Sequence, residues 1–69
     1  MNGKQRNVKN SMPLSHYPDV LDVLQVSEIL HISDKSVYKM LRNGELKHVR
    51  IGTAYRIPKL YLENILFNS

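Results

Sequence analysis

Two helical stripes of apolar residues stand so close together in this sequence that only one short turn fits between them. Val23, Val26, Ile29 and Leu30 recur at i, i+3, i+6 and i+7, one face of a helix that ends near His31. Ser33 then occupies a position where its hydroxyl accepts from the first N–H groups of a new helix. Val37 and Leu41 form the apolar side of that second helix, and Gly44 stands where a left-handed residue stops it. The spacing predicts a second helix from Asp34 to Asn43. Whatever this chain folds into must therefore hold a helix, a three-residue turn and another helix.

From Leu46 the period changes to that of strands. Val49 and Ile51 share one parity, His48 and Arg50 take the other, and Gly52-Thr53 supplies a tight reversal. Tyr55 and Ile57 are expected to return on the inner face, and Arg50 and Arg56 on the outer one. Pro58 suits the first position of a closing helix, whose core stripe is read as Leu62, Ile65 and Leu66. Residues 1–18 show no period, hold Pro13 and Pro18, and carry Lys4, Arg6 and Lys9 without an acid. They read as a basic flexible tail before a domain spanning 19–69.

Size and composition narrow the function classes. At 69 residues the chain holds one domain and lacks the length for a deep substrate cleft, so a binding module is expected rather than an enzyme, with no small-molecule substrate. The absence of cysteine removes disulfide scaffolds, thiolate metal sites and cysteine nucleophiles, and suits a reducing cytoplasm. No apolar run reaches the roughly 18 residues of a membrane span, so no membrane partner is expected.

Charge distribution says more than the net +4. Residues 19–30 carry only the acids Asp19, Asp22 and Glu28, whereas 31–59 carry seven bases against Asp34 and Glu45. On a wheel of about 100° per residue with Val37 at zero, Lys35, Arg42 and Lys39 fall near about 160°, 140° and 200°. Three long cations thus line up opposite the core stripe, a face suited to an anion. An α-helix fits the major groove of B-DNA, where Lys and Arg reach phosphates or guanine edges and Ser or Asn read bases. A charge run is commonly only a solvated face, but the arginines of the hairpin extend this one.

Other constellations carry less. His16, His31 and His48 are too widely spaced for a metal motif and have no cysteine to support them. His31, Ser33 and Asp34 are triad residue types, but neighbours in a cap and turn point in divergent directions. Tyr38 and Tyr55 are read as structural aromatics before base-stacking ones. On the closing helix Leu60 and Phe67 fall opposite the Leu62 stripe, an apolar pair that is either ordinary surface or a protein contact.

The stretches LDVLQVSEILHIS, DKSVYKMLRNGEL, VRIGTAYRIP and LYLENIL together resemble the excisionase-type winged helix-turn-helix family, a relative of the DNA-binding head of the mercury-resistance regulators. The resemblance runs from Leu21 to Leu66 and implies a mainly α fold with a small β-hairpin wing. It implies that Ser33, Asp34, Lys35, Ser36 and Lys39 face the groove, that Arg42 lies closer to the backbone, and that Arg50, Thr53 and Arg56 belong to the wing. Two positions depart from the family pattern. His31 replaces the usual glycine between the helices, and Asp34 stands where a basic residue is common.

The family resemblance implies double-stranded DNA as partner, with no cofactor and no metal. It further implies an excisionase, a recombination directionality factor that binds and bends attachment-site DNA and steers a tyrosine integrase toward excision of a mobile element. Such a factor works with neighbouring copies of itself on DNA and is nucleoid-associated when bound. Leu60 and Phe67 are the residues expected to meet the protein partner. A small transcriptional regulator using the same surface is the alternative, and a protein-interaction adaptor with an incidental basic face is a third reading.

Overall fold

The computed structural model describes residues 13–67. Its elements are β1 (Val20–Leu21), α1 (Val23–Leu30), α2 (Asp34–Arg42), β2 (Val49–Ile51), β3 (Ala54–Pro58) and α3 (Lys59–Phe67), with one 3-10 turn at Leu14–His16 before them. Three helices and a small antiparallel sheet in the order β1-β3-β2 make a winged helix-turn-helix.

Local chemistry sets both ends of the helix pair. Asp22 caps α1 by accepting from the Gln25 amide at 2.8 Å, while the Gln25 side chain accepts from the Asp22 amide at 3.0 Å. This reciprocal capping box satisfies two donors that would otherwise lack a partner. At the other end His31 adopts φ 59° and ψ 41°, the left-handed conformation. His31 therefore performs the chain reversal for which a glycine is usual, at some cost in backbone strain. Ser33 caps α2 through its Oγ, which accepts from the Ser36 amide at 3.1 Å. Beyond Asn43, Gly44 takes φ 76° and its N–H donates to the Leu41 carbonyl at 3.2 Å, which ends α2.

The core gathers one face from every layer: Val23 and Val26 of α1, Val37 and Leu41 of α2, Leu21 and Ile57 of the sheet, Leu46 of the connecting loop and Leu62 of α3. Leu21 and Ile57 are direct partners across the β1–β3 ladder, and both are fully buried. Emptying such a site by a Leu→Ala change costs on the order of 2–5 kcal/mol. Ile29, Leu30, Met40 and Tyr55 pack around this cluster while keeping part of their surface in water.

Four features differ from the sequence expectation. The packed fold takes in part of the segment read as tail: Tyr17 is 5% exposed and belongs to the core, and Lys59 bonds back to its carbonyl oxygen. Residues 1–12, with Lys4, Arg6 and Lys9, lie outside the described residues. Pro58 ends β3 opposite Val20 instead of opening α3, which begins one residue later.

In α3 only Leu62 of the expected stripe is buried, whereas Ile65 and Leu66 are exposed. Beyond Leu62 the helix buries no further apolar side chain, and Phe67 is exposed as well. Finally, Arg50 and Arg56 lie on opposite faces of the hairpin. The two-residue Gly52-Thr53 turn pairs Ile51 with Ala54, Arg50 with Tyr55 and Val49 with Arg56. Partners across a ladder share a face, so Arg50 joins Tyr55 on the inner face, and Arg56 joins Val49 on the outer one.

Candidate nucleic-acid interface

The interface is built from α2 outward. With Val37 and Leu41 buried, Lys35, Lys39 and Arg42 stand exposed on the opposite side of the helix. Lys39 and Arg42 occupy its last turn and Asp34 its first, each sign at the end that the helix dipole favours. Asp34 also accepts from the Lys35 amide at 3.1 Å through Oδ1. The Ser33 hydroxyl is engaged in the cap and donates to the Ser36 hydroxyl at 3.0 Å. Ser33, Asp34 and Ser36 are all exposed.

The wing follows at the far end of the connecting loop. Gly52, at φ 63°, supplies the positive φ that a two-residue hairpin turn needs at its first position, and Thr53 sits exposed at the tip. Arg50 and Arg56 are exposed on their two faces, Arg56 donating from Nη1 to the Tyr55 carbonyl at 3.0 Å. Of the seven bases between residues 31 and 59, two are turned to other work. The Lys59 ammonium, on a side chain only 14% exposed, serves Tyr17 and Asp19. The Lys47 ammonium lies 5.9 Å from the Tyr61 ring centre. The remaining five are the three cations of α2 and the two arginines of the wing.

An aromatic cluster joins these two elements. Tyr38 on the flank of α2 meets Tyr55 of β3 edge-on, with ring centres 5.8 Å apart, and His48 meets the same ring at 5.1 Å. Composition and period mark these residues only as structural aromatics. The signal for the cluster is the hairpin register, because a two-residue turn at Gly52-Thr53 necessarily places Arg50 opposite Tyr55. Among the described residues no group of three or more His, Cys, Asp or Glu side chains is placed to hold a metal ion. Nor is any helix there long and apolar enough to cross a membrane.

Comparison with known proteins decides the family. The family model described as a helix-turn-helix domain matches residues 20–66, which takes in every element from β1 through most of α3. The chain belongs to the helix-turn-helix domain family. Two relatives of this helix-turn-helix chain come from Mycobacterium tuberculosis strains CDC 1551 / Oshkosh and ATCC 25618 / H37Rv, each provisionally named a DNA-binding protein. Each is 32% identical over 50 residues, which cover 72% of this chain and 64% of the relative. The match thus spans less than two thirds of the curated relatives' length. No solved structure matches the chain at a significant level. The family match and the fold together make residues 20–66 a winged helix-turn-helix domain.

Proposed function

We propose that the protein is an excisionase-type recombination directionality factor that inserts α2 into the major groove and lays the wing alongside it. The observation that carries the DNA-contacting part is the exposed row of Lys35, Lys39 and Arg42 opposite buried Val37 and Leu41. In this reading Ser33, Asp34, Lys35, Ser36 and Lys39 face base edges and phosphates, Asp34 accepting from a cytosine amino group, with Arg42 on the backbone. Arg50, Thr53 and Arg56 act from the wing. Because Arg50 and Arg56 occupy opposite faces, Arg50 is the wing arginine on the side of α2, and Arg56 reaches a different stretch of backbone.

The recombination part draws on a second surface. Leu60 and Phe67 are 62% and 71% exposed on α3, a different helix from the one that carries Lys35, Lys39 and Arg42. A directionality factor has to bend its site, contact the recombinase, or do both, and an apolar outer helix face suits the contact with a tyrosine integrase or a neighbouring copy. A panel of base-substituted duplexes tests the groove assignment. Lys39→Ala is expected to cost about 1–3 kcal/mol with relaxed preference at one position. A plasmid excision assay with the cognate integrase tests the biological role. Repression of a promoter without any effect on an integrase would replace the excisionase with the transcriptional regulator.

A further inference from the structure

The inner face of the wing holds an arginine that is already ordered. Arg50 and Tyr55 are cross-strand partners. The Arg50 guanidinium carbon lies 4.5 Å from the Tyr55 ring centre, and Nη1 donates to the Tyr55 hydroxyl at 3.4 Å. The Tyr55 ring is in turn held from two other directions. Tyr38 packs on it edge-on from α2, and His48 does so from the connecting loop. The His48 ring is itself anchored, with Nδ1 2.9 Å from the carbonyl oxygen of fully buried Leu46.

This arrangement has a physical consequence for any polyanion that meets both elements. A long arginine on a two-stranded ribbon ordinarily loses rotamer freedom when it engages a phosphate. Stacking on a fixed ring takes part of that loss in the free protein, and a guanidinium plane is well suited to lie on an aromatic face. Because the same ring touches Tyr38, the offset between Arg50 and the cations of α2 is set by side-chain packing as well as by the backbone of a short hairpin.

We propose that Tyr55 is a positioning residue for DNA binding: through Tyr38 it fixes Arg50 at a set distance from the Lys35, Lys39 and Arg42 row, so that helix and wing engage the duplex as one unit. The inference rests on the DNA-contact reading above. It assigns Tyr55 no contact with DNA.

The test is duplex affinity as a function of salt for the full chain and for Arg50→Ala, Tyr55→Leu, their combination, and Tyr55→Phe. Arg50→Ala is expected to bind on the order of five- to tenfold more weakly, with a salt slope shallower by about one. Tyr55→Leu removes no charge, yet is expected to make the slope shallower by a similar amount. The double variant should then stay within about twofold of Arg50→Ala, and Tyr55→Phe should keep the wild-type slope. A Tyr55→Leu protein that retains the wild-type slope, or single effects that simply multiply in the double variant, overturns the proposal. Should Tyr55→Leu fail to fold, the Arg50 Hδ resonances of the wild-type protein decide: an upfield ring shift supports the stack, and random-coil positions overturn it. Failure of the wild-type chain to bind any duplex would sink the underlying DNA reading instead, a result separate from the ring shift.

Discussion

The Lys59 ammonium donates to the carbonyl oxygen of Tyr17 at 2.9 Å, tying together residues 42 positions apart in the chain. A second bond runs from the Lys59 amide to the Asp19 carbonyl at 2.7 Å. Together they fasten the segment before β1 to the start of α3, and the Tyr17 ring fills a core site there. Tyr17→Ala is accordingly expected to destabilise the protein by about 3–5 kcal/mol in urea unfolding. In so small a domain, a loss of this size or a deletion of residues 1–18 should abolish cooperative unfolding near room temperature. A fully folded deletion protein would show that Tyr17 is dispensable.

Tyr17 also gives stability a dependence on alkaline pH. Burial raises its pKa above the ordinary value of 10.0, and the nearby charge of Glu28 and the bond from the phenol to Glu28 Oε1 at 3.4 Å raise it further. The folded state thus holds this proton more tightly than the unfolded state does. Its contribution is complete below pH 10.0, the unfolded value, and is lost as pH rises from there through the folded value. Thermal denaturation between pH 8 and pH 11 should show this decline, and Tyr17→Phe should flatten it. An unchanged decline in Tyr17→Phe would assign the effect to other groups.

His31 holds a left-handed backbone at φ 59° without the freedom of glycine. Relief of that strain is partly offset by the greater chain entropy of glycine in the unfolded state. His31→Gly is expected to stabilise the fold by about 0.5–1 kcal/mol, with duplex affinity unchanged within about twofold. Destabilisation in chemical denaturation would mean that the imidazole makes a contribution larger than the strain.

Leu60 and Phe67 protrude from α3. Leu60→Ser combined with Phe67→Ser should therefore leave the melting temperature and isolated duplex binding nearly unchanged. Cooperative assembly with the cognate integrase or a neighbouring copy, and excision from a plasmid, should both fall. Normal excision by the double variant would make the pair ordinary surface.

The helix pair was legible because its signals are local. A capping serine, a stop glycine and the spacing of Val37 and Leu41 are each read within one turn of helix, and the outward row of Lys35, Lys39 and Arg42 follows from the same period. Tyr17 was not legible in that way, since a single aromatic in an aperiodic stretch acquires its role only through contacts with Glu28 and Lys59, far along the chain. The exposure of Ile65 and Leu66 escaped for a related reason: a helical stripe shows which residues share a face, not how far along the helix the core extends. Parity counted along the sequence puts Arg50 and Arg56 on one face. The two-residue turn inverts that count across the hairpin.

The most direct test of the central claim is binding of the purified chain to duplex DNA at two salt concentrations, alongside a variant in which Lys35, Lys39 and Arg42 are all replaced by Gln. The exposed row opposite Val37 and Leu41 predicts affinity that falls steeply with salt, and a slope shallower by roughly 0.9 for each phosphate contact removed, up to about three in the triple variant. Absence of duplex binding at low salt, or binding indifferent both to salt and to the loss of these three cations, would contradict it.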